Sequence, residues 1–286
     1  MVIIEMDYNK FQIFSFNLNT MAKDATICMI AKRGSGKSYI TRDILYHYRH
    51  IPGGAVIAPT DRMNPFFKFF FPDLYIHYDI SETLLKKVLA RQLLMIEKSK
   101  HKKKIGKKVD PSSILIMDDC LARRKSWAKD QSIMEVMLNG RHYRLTYILT
   151  MQTPLGIDPT LRLNFDYVFL LKDGTTVNRK KLWDNYAGVF PTLGTFIKVF
   201  EVCTENYKAM VVDNRVPNSA VNKTIFWFKA KNREFSFGSR SFRKLHKDYY
   251  DPNFIKRKTM EMIGGPEQIG RRRGNEPDIG VVLKEH

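Results

Sequence analysis

The sequence predicts an α/β fold, a mostly parallel β-sheet covered by helices on both faces. Three observations carry that expectation. Short β-branched and aromatic runs alternate with amphipathic stretches along most of the 286 residues. One such run, "TICMIA" (26–31), leads straight into the glycine-rich "AKRGSGKS" (31–38) and then into a helical pattern. Another, "SILIMDDC" (113–120), is apolar until it ends in two acids. Strands that alternate with helices pair in parallel through crossovers that cover the sheet, so both faces are expected to be buried.

Taken in order, a short strand region is expected within residues 1–20. Strands follow at 26–31, 55–58, 74–78, 113–118, 145–150, 167–171 and 209–213. Helices are expected at 37–49, 82–99, 131–140 and 176–186, with a shorter one near 192–200. In the first, Ile40, Ile44, Leu45 and Tyr48 share one face, as packing on a sheet requires. Ser81 can N-cap the second, which turns Leu84, Leu85, Val88 and Leu89 inward. "NPFFKFFFPDLYIHY" (64–78) sits between two core strands and is read as core packing, not as a stacking platform for unpaired bases. The lysine run "KSKHKKKIGKK" (98–108) is read as an exposed loop. Residues 1–228 are expected to form the phosphate-loop domain. From about Lys229 the pattern dissolves, so 229–286 is expected to be a basic extension, disordered at its extremity around Arg271–Arg273.

Composition narrows the function. Forty-eight Lys and Arg against 29 Asp and Glu give a net charge of +19, which favours a polyanionic partner, nucleic acid ahead of an acidic membrane surface. A solvated basic surface is the bland alternative. Cys28, Cys120 and Cys203 lie far apart without C-x-x-C spacing, against a disulfide framework or a zinc site. "MVIIEMDYNK" does not read as a signal peptide, and no apolar run approaches the roughly 20 residues of a membrane span. A soluble intracellular protein is expected.

The chemistry gathers at the glycine-rich segment. Its spacing fits a phosphate-binding loop except that Ala31 replaces the usual first glycine. Ala31, Lys32, Arg33, Gly34, Ser35, Gly36, Lys37, Ser38 and Tyr39 are the candidate nucleotide-binding residues. Gly34 and Gly36 let the backbone wrap so that successive N–H groups face phosphate oxygens at a helix N-terminus. Lys37 would reach the β- and γ-phosphates and the Ser38 hydroxyl would ligate Mg²⁺. Asp118, at the end of its buried strand, would hold the same Mg²⁺, and Asp119 would orient and deprotonate the attacking water. Gln152 ends the run "LTYILTMQ" (145–152), just past a core strand; its carboxamide can donate to the γ-phosphate and can donate to or accept from the water. The expected cofactors are ATP and Mg²⁺.

The succession "AKRGSGKS", "HIPGGAVIAPT", "MDDC", "MLNGRHYRLTYILTMQ", "LRLNFDYVFLL" and "CTENYKAMVVDN" resembles the genome-packaging ATPases of nucleocytoplasmic large DNA viruses, within the FtsK–HerA superfamily of P-loop ATPases. It spans roughly residues 20 to 230, and its most specific part is "NGRH" (139–142). The resemblance implies a RecA-like core in a homo-oligomeric ring that drives double-stranded DNA into a capsid, with a capsid or portal protein as a further partner. It implies work in the host cytoplasm at viral assembly sites. It also implies an arginine acting on a neighbouring subunit's site, with Arg141 the first choice and Arg144 and Arg162 behind it. Ala31 and the tail after Lys229 depart from the family pattern. Two rivals stay open: a nucleotide-gated DNA-binding or capsid-associated protein with little turnover, and a P-loop kinase.

Overall fold

The computed structural model describes residues 2–6, 9–120, 131–216, 220–254 and 257. The strands are β1 (Val2–Met6), β2 (Asn9–Ser15), β3 (Thr26–Ile30), β4 (Gly54–Ile57), β5 (Ile76–His77), β6 (Ser113–Asp118), β7 (Leu145–Met151), β8 (Tyr167–Leu171), β9 (Ala209–Asp213) and β10 (Ile225–Phe228). They join in one sheet of order β1-β2-β10-β9-β8-β3-β7-β6-β4-β5. From β8 to β5 every pairing is parallel, whereas β9 runs antiparallel to both β8 and β10. The α/β expectation holds, and β7 lies between the loop strand β3 and the acidic strand β6.

Side chains alternate along each strand, so consecutive residues feed two separate cores. Ile27 and Met29 of β3 and Tyr167 and Phe169 of β8 face one side, packed on Ile40, Ile44 and Leu45 of α1 (Lys37–His47). Cys28 and Ile30, with Val168 and Leu170, face the other. That second core is closed by α2 (Glu82–Lys104), α3 (Gln131–Asn139), α4 (Thr176–Tyr186) and α5 (Leu193–Thr204). All three cysteines are buried and free. No helix among the described residues is long and apolar enough to cross a membrane.

Several expectations change. The lysine run is not a loop from residue 98: α2 continues through Lys104. Lysine is a good helix former, and cations at a helix C-terminus complement its dipole. The Ser81 hydroxyl does cap this helix, accepting from the Leu84 N–H at 3.1 Å. Midway along, the buried Gln92 donates to the carbonyls of Pro111 and Tyr143, both at 2.9 Å, at the amino edge of the sheet. Residues 93–104 therefore extend past that edge, roughly 18 Å at the helical rise. The strand expected at 74–78 shrinks to Ile76–His77, because a 3₁₀ turn takes Asp73–Tyr75.

The pattern also persists beyond Lys229. Ser239 caps a further helix, α6 (Arg240–Tyr249), accepting from the Phe242 N–H at 3.2 Å. Phe242 stacks on Tyr75 at 3.9 Å, in a slot between Gly53 and Gly238. A β-carbon would meet its ring at 2.8 Å on one side and 2.5 Å on the other. Phe237 is fully buried and stacks on Phe71 at 4.7 Å. Within the aromatic segment 64–78, Phe67, Phe70, Phe71 and Ile76 are core packing, as its position between strands indicated, whereas Phe69 is exposed; the lid over this part of the core comes from the segment after Lys229. The Arg271–Arg273 cluster lies outside the described residues.

Phe237→Ala tests how far this segment supports the fold. Truncating a fully buried phenylalanine is expected to cost about 3–5 kcal/mol, read as a lowered denaturant midpoint at constant slope. An unchanged midpoint would make the segment an appendage.

Candidate functional site

The carboxyl edge of the parallel strands collects the expected chemistry. Past the end of β3, the Ala31 N–H donates to the Met151 carbonyl at 2.9 Å, so sheet pairing runs one residue into the loop. Ala31 is buried and not left-handed; the loop needs positive φ only at Gly34 (74°) and Gly36 (99°). This is why alanine suffices at the first position. The Ser35 hydroxyl donates to the Lys32 carbonyl at 2.6 Å and tightens the turn. Gly36 is the N-cap of α1, and the first amides of a helix have no intrahelical acceptor, so this end of α1 can receive an anion. Ser38 and Tyr39 are exposed there.

Lys37 turns back over the sheet. Its Nζ lies 3.1 Å from Asp118 Oδ1 and donates to Thr150 Oγ1 at 3.4 Å. The Thr150 hydroxyl donates in turn to Asp118 Oδ1 at 2.6 Å, and its oxygen accepts from the Asp119 N–H at 3.2 Å. Pairing of β6 with β7 places Asp118 opposite Thr150, so the contact follows from strand register. Asp119 sits in the left-handed region at φ 50°, which Asp tolerates better than most residues. That turn swings its carboxylate out of line with Asp118, and it accepts from Gln152 Nε2 at 2.5 Å. Cys120 follows, its thiol held well above the ordinary range by burial and by Asp118 and Asp119, so it is inert at neutral pH.

On the other side of the loop, Lys32 Nζ lies 2.8 Å from Asp173 Oδ1 and donates to Thr175 Oγ1 at 2.8 Å. Burial pushes the Asp173 carboxyl up, but Lys32, the Thr175 N–H and the Asn178 amide outweigh it and hold the carboxyl below its usual value.

The structure thus brings Lys37, Ser38, Asp118, Asp119 and Gln152 to one edge. It does not bring Arg141 there. Arg141 lies in a 3₁₀ turn, Gly140–Tyr143, ahead of β7 and so at the opposite edge, roughly 20 Å away by strand rise. Its Nη2 pairs with Asp166 Oδ1 at 3.2 Å, and the neighbouring Arg144 pairs with Asp24 at 2.7 Å. Arg162 is buried and spends its guanidinium on the Ile157 carbonyl and on Asn185. Sequence reasoning missed Thr150, because threonine is ordinary in strands. The only signal was a hydroxyl one residue before the end of an apolar strand neighbouring the acidic one.

A Mg²⁺–nucleotide fits this donor set. The Ser38 hydroxyl and Asp118 carboxylate are hard oxygens, and Mg²⁺ held with phosphates takes only one or two protein ligands. Among the described residues no group of three or more His, Cys, Asp or Glu could hold a metal without such help.

Comparison with known proteins agrees in fold and sequence. Residues 13–227 match the family described as Poxvirus A32 protein. The uncharacterized protein L437 of Acanthamoeba polyphaga mimivirus is 57% identical over 280 residues, covering 98% of this chain and 99% of its own length. The uncharacterized protein 075L of Invertebrate iridescent virus 6 is 31% identical, over 84% of this chain and 91% of its own. Among solved structures, B204, the DNA-packaging ATPase from Sulfolobus Turreted Icosahedral Virus, is similar with a TM-score of 0.50 at 18% identity. It is covered over its full length and covers 74% of this chain.

The depressed Asp173 gives a pH test of the loop's anchor. A carboxyl lowered by folding contributes stability that is complete above its unfolded value, about 3.9, and is lost as pH falls through the folded value. Asp173→Asn should therefore flatten the acid limb of unfolding free energy below about pH 4. A variant with the wild-type acid limb would show that Lys32 and Asp173 are not coupled in solution.

Proposed function

The chain belongs to the Poxvirus A32 protein family, and from that premise we propose that it is an ATPase that drives double-stranded viral DNA into a capsid. In this role it works with Mg²⁺-ATP as a homo-oligomeric ring. One observation supports it above the rest: Lys37, Asp118 and Thr150 converge within 3.4 Å of one another beside an Asp119–Gln152 pair. That is one cation for phosphates, one carboxylate for a metal and one carboxylate aimed by an amide.

With nucleotide on the loop, Lys37 exchanges Asp118 for the β- and γ-phosphates, and Asp118 and Ser38 are the residues that would hold the metal. Bound Mg²⁺ would neutralise charge on the phosphate oxygens. Asp119, held by Gln152, accepts a proton from the water whose oxygen attacks the γ-phosphorus as the bond to the ADP oxygen breaks. The net charge of +19 supports DNA as the partner, gripped through phosphates without base reading. The basic end of α2, His101 to Lys104, is one candidate contact. A capsid or portal protein as docking partner, and work at assembly sites in the host cytoplasm, belong to the same reading.

The direct test is hydrolysis with and without long duplex DNA. Wild-type turnover should rise with DNA, and Lys37→Ala should lose about 100-fold or more. Asp119→Asn, which keeps a residue tolerant of the left-handed turn, should bind ATP but not cleave it. Near wild-type turnover in Lys37→Ala would refute the site, and turnover indifferent to DNA would refute the motor.

Arg141 is proposed to serve the neighbouring subunit's site, since it lies at the far edge from its own. An Arg141→Ala chain with an intact loop should then regain activity when mixed with Lys37→Ala chains that supply Arg141. No recovery in demonstrably mixed rings would transfer the role to Arg144, which lies at the same edge and is 44% exposed.

A further inference from the structure

We infer that the ring of Tyr207 stacks on the nucleoside of the nucleotide held by the loop, a deepening that rests on the nucleotide-binding reading above. The γ-phosphate end of the site is fixed by Lys37, Asp118, Asp119 and Gln152, all on the β7–β6 side of the loop strand. A triphosphate laid along the loop from that end sends its nucleoside the other way, toward β8 and β9. The chain found there is the turn Glu205–Tyr207 that enters β9. Its last side chain lies over the loop: a β-carbon on Gly36 would sit 3.5 Å from Tyr207 Cβ and 3.6 Å from Cδ1. Tyr207 is nevertheless 70% exposed, which leaves its ring open to solvent beside the helix end that receives the phosphates.

The backbone adds a second observation. Asn206 (φ 51°) and Tyr207 (φ 60°) are both left-handed, although neither is glycine. Asn takes that conformation readily, but tyrosine does so at a cost, and such outliers gather at ligand clamps. A glycine would make the turn more easily; what tyrosine adds is the ring. An aromatic face stacks on any base, with a larger purine overlapping more than a pyrimidine, so the preference should follow stacking area.

The test compares the affinity of ATP with that of inorganic tripolyphosphate, each with Mg²⁺, which share the phosphate chain and differ in the nucleoside. Tyr207→Ala should weaken ATP by about 5- to 150-fold and leave tripolyphosphate unchanged. Tyr207→Phe should keep wild-type affinity for both. Tyr207→Asn, which suits the left-handed turn but has no ring, should behave as Tyr207→Ala, separating loss of the ring from loss of the turn. Equal weakening of both ligands by Tyr207→Ala would make Tyr207 a support of the loop and overturn the inference, as would ATP binding unaffected by removing the ring. A wild-type chain that bound neither ligand would overturn the nucleotide reading itself, and the inference with it.

Discussion

The contact of Lys37 with Asp118 across the Thr150 hydroxyl is the interaction on which the site depends. Asp118 is only 9% exposed, and burying a carboxylate is costly unless it is paired and hydrogen-bonded. Lys37 supplies the first and Thr150 a second bond, while Thr150 also fixes the backbone of Asp119. These three side chains come from a helix and two different strands. They meet because β3 pairs with β7 through Ile30 and Met151, and β7 pairs with β6 through Thr150 and Asp118. A one-residue slip of β6 against β7 would send its side chains to the other face and dissolve the triangle.

The two edges of the sheet carry different work. At the carboxyl edge the chain leaves its strands in turns that expose polar groups, and there the loop, the acids and Gln152 converge. At the amino edge, arginines close the entries of the parallel strands and the exit of antiparallel β9. Arg144 pairs with Asp24, Arg141 with Asp166 and Arg215 with Asp213. Burial pushes the Asp24 carboxyl up while Arg144 opposes that shift. These pairs are sufficient reason for the arginines in a lone chain, so action on a neighbouring subunit would be an added role for Arg141.

Much of this was legible in the sequence for physical reasons. A phosphate loop between an apolar strand and an amphipathic helix admits few placements, and an apolar strand ending in two acids fixes which end faces the loop. The resemblance to packaging ATPases of large DNA viruses is borne out by the family match and the shared fold. What was not legible depended on partners distant in sequence. Thr150 matters only because Asp118 lies opposite it. Helix α6 does carry Phe242, Leu245 and Tyr249 at helical spacing, but they stand among charges and only Phe242 is buried, so its anchorage between Gly53 and Gly238 appears only once the chain has folded. The lysines of α2 misled because charge alone does not distinguish a helix end from a loop.

The central claim is that Lys37 is held by Asp118 and Thr150 in readiness for phosphate. The most direct measurement is a crystal structure with Mg²⁺ and a non-hydrolysable ATP analogue. Lys37 Nζ should leave Asp118, now 3.1 Å away, for the β- and γ-phosphate oxygens, with the 2.6 Å Thr150–Asp118 bond retained. A nucleotide bound while Lys37 remained on Asp118, or bound away from the loop, would contradict it.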